Sequence, residues 1–142
     1  MRDFNHTVSR LVTWSLKDEL KHGDCAKCVV GNLCGGQSIW KYLFMTDEYG
    51  VQRAQRIQFF TAFNLGFNSS EELLSNAVAL CESTGYSVEE LARIEKTFEL
   101  SGGVTVEERM FNGLIAVVDV LADIHKVDLS VKEEAKKLFV KA

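Results

Sequence analysis

The chain has 142 residues, 46% of them apolar and 25% charged, and a net charge of −4. That length supports one hydrophobic core, so a single domain over residues 1–142 is expected, and the acidic balance disfavours nucleic acid, whose phosphates call for a basic surface. No apolar stretch is long enough to cross a bilayer, and the stretch from Met1 to Leu20 has no signal-peptide core, which predicts a cytoplasmic protein with no membrane partner.

Proline is absent, so glycine must do the punctuating, and between the ten glycines the apolar spacing is helical rather than alternating. The expected fold is all-α: a single compact bundle of about six to eight helices with a Cys/Gly-rich turn after the first. The first helix is expected from Thr7 to Lys21, with Val8, Leu11, Val12, Leu16 and Leu20 on one face and Lys21-His22-Gly23 as its ending. The stretch His22 to Gly36 follows, holding three of the four cysteines. It puts Cys25-x-x-Cys28 at the mouth of a short second helix, Ile39 to Met45, which Ser38 can cap. A turn over 46–50 leads to a helix from Val51 to Leu65, whose Ala54, Ile57, Phe60 and Phe63 mark a buried face.

In the second half Ser/Thr-x-x-Glu recurs at Ser69–Glu72, Ser87–Glu90, Thr105–Glu108 and Ser130–Glu133. This is the capping-box pattern, in which hydroxyl and carboxylate each satisfy an orphan backbone N–H. It predicts helices over 70–83, 88–100, 106–127 and 131–140. The third is the expected centre of the bundle, with Met110, Phe111, Leu114, Val117, Val118, Leu121 and Ile124 on a wide apolar arc and a narrow polar stripe of Glu108, Asn112, Asp119, Asp123 and Lys126. Gly113 inside it points to close packing against a neighbour.

The chemistry concentrates at Cys25-x-x-Cys28, where two intervening residues let both sulfurs face one point. A structural zinc needs four ligands, and His22 and Cys34 are the local complement, so the candidate metal ligands are His22, Cys25, Cys28 and Cys34. An iron–sulfur cluster with Cys81 as the fourth thiolate is the lesser option. A redox dithiol of Cys25 and Cys28, or a tight structural turn of small thiols, are the alternatives. Cys81, among Leu73, Leu74, Ala77, Val78 and Leu80, reads as a buried inert cysteine. Asp119 and Asp123, with Glu95 and Glu99 nearby in sequence pattern, read as solvated carboxylates rather than a di-metal site, because no Glu-x-x-His pair accompanies them. The aromatic set Trp40, Phe44, Phe59, Phe60 and Phe63 reads first as core and second as a ligand pocket. No phosphate loop, nucleophile elbow or HExxH motif is present, so the chain leans away from enzymes.

The run Cys25-Ala-Lys-Cys28-Val-Val-Gly31-Asn32, then Trp40-Lys41, Gly85-Tyr86-Ser87-Val88-Glu89-Glu90-Leu91 and Ile94-Glu95-x-x-Phe98 resembles a group of small uncharacterised proteins from Bacteroidetes or Bacteroidetes phages. Their shared core is CxxC-V-G-N, and the resemblance covers residues 20–100. Such proteins often carry the label of one component of the Na(+)-translocating NADH-quinone reductase. The genuine component is a larger membrane-anchored flavoprotein with a plant-type ferredoxin domain. This chain has no membrane segment, dinucleotide fingerprint or C-x4-C-x2-C order, so the label does not suit it. The resemblance implies no activity. The expected function is a small cytoplasmic, non-enzymatic interaction or regulatory protein of bacterial or phage origin, acting on protein partners, with a zinc-stapled CxxC turn. A thiol-redox protein and a ligand-sequestering helical bundle are the alternatives, and the oligomeric state is open.

Overall fold

The computed structural model describes residues 3–24, 27–44 and 59–139. Among these there are eight helices and no strand: α1 Phe4–Leu16, α2 Val29–Leu33, α3 Lys41–Phe44, α4 Phe59–Asn64, α5 Ser70–Glu82, α6 Val88–Leu100, α7 Val106–His125 and α8 Leu129–Lys136. The fold is all-α, as the spacing predicts. None of these helices is long and apolar enough to cross a membrane. The expected turn over 46–50, and most of the helix expected from Val51, lie outside the described residues.

The first helix is displaced from its expected place. It starts at Phe4 because the Asp3 carboxylate accepts the His6 N–H at 3.2 Å. It ends at Leu16 rather than Lys21. Asp18 takes a left-handed conformation, φ 57°, which Asp tolerates better than most side chains. The Glu19 N–H then reaches the Trp14 carbonyl at 2.8 Å and the Asp18 N–H reaches Ser15 at 3.2 Å. This is a Schellman closure made without glycine. It frees the chain to turn Leu20 into the core at 3% exposure.

Helices α5, α6 and α7 begin where the capping pattern puts them. Ser69, Ser87 and Thr105 accept the N–H groups of Glu72, Glu90 and Glu108, each at 3.0 Å. Only Ser87 and Glu90 close a full reciprocal box, with Ser87 N–H on Glu90 Oε1 at 2.8 Å. Glu72 and Glu108 reach one residue further back, to the N–H groups of Asn68 and Val104. The fourth pattern misleads. α8 is capped by Asp128, whose carboxylate accepts the Val131 N–H at 3.1 Å and the Ser130 hydroxyl at 2.8 Å. An ionised carboxylate is the stronger acceptor, so the helix starts earlier than Ser130 would allow.

α7 is the centre of the bundle. Leu114, Val117, Val118 and Leu121 are at most 1% exposed, and α1, α6 and α8 pack around them. Full burial of such a side chain contributes about 1.5–3 kcal/mol. Gly113 faces Phe98 of α6 so closely that an added Cβ would lie 3.1 Å from Phe98 Cδ1. The polar stripe is solvated, as expected. Asp119 pairs with Lys136 at 2.8 Å and Lys132 at 3.5 Å, and Asp123 pairs with Arg93 at 2.6 Å. These pairs join α8 and α6 to α7 across exposed surface, where each contributes about 1 kcal/mol or less. A buried polar chain crosses the core: Thr7 Oγ1, Tyr86 Oη and His125 Nε2 are linked by two hydrogen bonds of 2.7 Å.

The aromatic face expected on the helix before Gly66 is reversed. Ala62 is fully buried against Leu73, while Phe60 and Phe63 are 69% and 61% exposed. The small alanine lets α4 approach α5 closely, and the bulky rings on the opposite side turn outward. Trp40 is core, at 2% exposure. The side chains of Phe44 and Phe59 lie outside what the structure describes.

Candidate metal centre

The cysteine stretch folds as a short helix bracketed by two tight closures. Asp24 starts it, its carbonyl accepting the N–H groups of Lys27 and Cys28 at 3.0 and 2.8 Å. Cys28 then caps α2, with Sγ accepting the Gly31 N–H at 3.3 Å. Gly35 and Gly36 close α2 in left-handed conformations, φ 72° and 84°. Their N–H groups reach Asn32 and Gly31 carbonyls at 3.1 and 2.8 Å, a second Schellman closure. The Asn32 amide N–H₂ lies 3.0–3.1 Å from the carbonyls of Glu19, Lys27 and Cys28. It ties the turn to the segment that follows α1. The motif residues Cys28, Gly31 and Asn32 therefore each have a geometric role.

Cys28 is fully buried and points at α6, where its thiol donates to Glu95 Oε2 at 3.2 Å. Glu99, one turn further along, accepts the Gly23 N–H on both oxygens at 3.0 and 3.2 Å. The donor atoms of Cys28, Glu95 and Glu99 all lie within 4.8 Å of one another. Burial, reinforced by the Glu95 charge, pushes the Cys28 thiol well above its ordinary range. Burial also raises Glu95 to about 7; the hydrogen bond from Cys28 opposes that rise and the Glu99 charge adds to it. A cation placed among them would favour all three anionic forms at once.

The predicted ligands divide. Cys28 joins the group. Cys25 lies outside the described residues. His22 is engaged elsewhere. Its ring stacks on Phe98 with centroids 4.2 Å apart and planes 3° from parallel, and Nε2 lies 3.0 Å from the Phe98 carbonyl. A carbonyl only accepts, so Nε2 carries the proton of this hydrogen bond. Phe98 is among the last four residues of α6, so His22 satisfies one of that helix's orphan carbonyls. Cys34, 4% exposed, faces Cys81 rather than α6. The hydrogen bond with Cys81, together with burial, pushes the Cys34 thiol up, while Cys81 is lowered as its acceptor. Cys81 is fully buried, as its apolar neighbours predict.

Glu95 and Glu99 belong to this group rather than to Asp119 and Asp123, and their role was missed from the sequence. A signal was there. Leu91, Ile94 and Phe98 form the buried stripe of α6, and Glu95 sits at the same helical spacing within it. A carboxylate inside an apolar stripe calls for a partner.

The donor set suits zinc, which accepts thiolate and carboxylate together. Tetrahedral bonds of about 2.3 Å to sulfur and 2.1 Å to oxygen put ligand atoms about 3.6 Å apart. Cys28 Sγ and Glu95 Oε2, 3.2 Å apart, are already near that spacing, and Glu99 offers an oxygen within 4.8 Å of both. Comparison with family models, curated proteins and solved structures finds no match to this chain.

Proposed function

We propose that this chain is a small, non-enzymatic cytoplasmic protein of the CxxC-V-G-N group, acting on protein partners, whose cysteine turn is stapled to α6 by zinc. The observation that carries this reading is the convergence of Cys28, Glu95 and Glu99 within 4.8 Å in a largely buried setting. Cys25, the other cysteine of the motif, is the proposed fourth ligand, and His22 and Cys34 keep their structural roles. The metal would be structural: it would offset the cost of burying thiolate and carboxylate and hold the turn on the helix. The redox alternative gains less support, because a catalytic thiol needs a lowered pKa and burial drives Cys28 the other way.

The test is metal analysis of untagged protein, followed by cobalt substitution. Stoichiometric zinc and a thiolate-to-cobalt absorption band, both lost in Cys28→Ser and weakened in Glu99→Gln, are expected. Protein that holds no zinc after dialysis against it, with thiols that react equally fast in its presence, would remove the proposal.

A further inference from the structure

A cavity of about 730 Å³ lies between the end of α1, the first turns of α7 and the residues that follow α8. This is within the size range of small-molecule sites. Its floor is apolar and buried, formed by Leu20, Leu114 and Phe139. Three large side chains on its lining, Leu16, Val106 and Leu138, are exposed by 73%, 60% and 54%. Apolar groups left in water usually scatter singly; their convergence on one opening marks a binding surface.

The charged groups on the lining differ in setting. Asp18 and Glu107 are exposed and keep their hydration. Arg109 alone is half-buried; Lys21, exposed like the two acids, stands on the same lining. Neither cation has an ion pair within 4 Å among the described residues. A half-buried arginine without a counter-ion, beside an apolar floor, complements a ligand with one anionic end and one hydrocarbon end. The planar guanidinium fork matches a carboxylate in two parallel hydrogen bonds.

We propose that this cavity binds an amphipathic carboxylate of fatty-acid type, its chain on the Leu20, Leu114 and Phe139 floor and its carboxylate on Arg109 and Lys21. The site is separate from the aromatic set considered from the sequence, and it does not depend on the metal reading.

The test is calorimetric titration of the full chain with laurate, and with dodecanol as the same hydrocarbon without charge. Saturable laurate binding is expected, weakened about tenfold or more in Lys21→Glu/Arg109→Glu, with dodecanol weaker than laurate by a similar factor. Met110→Trp, which fills the cavity from α7, should abolish binding of both. Circular dichroism checks that each variant folds, and the surface charge variant decides the matter should the tryptophan one fail. Absence of saturable laurate binding, equal binding by the charge variant, or dodecanol binding as tight as laurate would each overturn the proposal.

Discussion

Glu95→Gln is the sharpest perturbation of the candidate centre, because it keeps the side chain's shape and removes its charge. The carboxyl rises from 4.5 to about 7 on folding, first through burial. The folded state therefore favours the protonated form. The stability this contributes is fully present below about pH 4.5 and is lost as pH rises through 7. At about 1.4 kcal/mol per pH unit the difference is about 3 kcal/mol, which solvent contact at the half-buried side chain trims to about 2. In urea melts with a chelator present, the wild-type chain should lose that stability between about pH 4.5 and 7, whereas the Gln variant should not. At about pH 8 the metal-free variant should then be the more stable protein by about 2 kcal/mol. Zinc should reverse the order, since a cation removes the penalty on the ionised carboxylate and thiolate. Parallel stability curves for the two proteins across this range would refute the reasoning, because they would mean that Glu95 is not desolvated by folding.

Further substitutions probe the turn and the core packing that supports it. Asn32→Ala removes the amide that joins the turn to the carbonyls of Glu19, Lys27 and Cys28. It should cost about 1–3 kcal/mol in urea melts and lower zinc occupancy in parallel. Gly113→Ala gains about 1 kcal/mol of helix propensity, but its Cβ would meet Phe98 Cδ1 at 3.1 Å and the Phe98 carbonyl at 3.2 Å. A buried ring and a helix backbone yield poorly, so a net loss of about 1 kcal/mol is expected, and a gain in melting temperature would show that α6 can move. Tyr86→Phe breaks the buried hydrogen bonds to Thr7 and His125 and should cost about 1–3 kcal/mol. Replacing Thr7 with Val in the same protein should recover part of that loss.

What was legible in the sequence was whatever is encoded locally. A hydroxyl three residues ahead of a glutamate marks a helix start through a hydrogen bond within one turn, so α5, α6 and α7 appear where Ser69, Ser87 and Thr105 place them. The same logic failed at α8, where two candidate caps stand two residues apart and the carboxylate of Asp128 prevails over Ser130. It failed at the end of α1 because a left-handed aspartate did what glycine was expected to do. The candidate centre was half legible. Cys28 announced itself, but its partner lies 67 residues away on α6, and no local pattern states which face of α6 meets the turn. His22 shows the converse. Its position beside the cysteines suggested a ligand, yet its ring is committed to Phe98, a contact set by how α6 packs.

The protons that Cys28 and Glu95 hold give the metal reading a signature that a merely structural turn cannot imitate. With the thiol donating to the carboxylate at 3.2 Å, a metal that takes both atoms must displace the thiol proton at any ordinary pH. Below about pH 7 it must displace the Glu95 proton as well. Zinc binding should therefore release about one more proton near pH 6 than near pH 8. Calorimetric titration in buffers of different ionisation enthalpy measures that number directly. Glu95→Gln should remove the pH dependence and leave the thiol's proton release in place. A release that is the same at both pH values in the wild-type chain would place the metal away from Glu95.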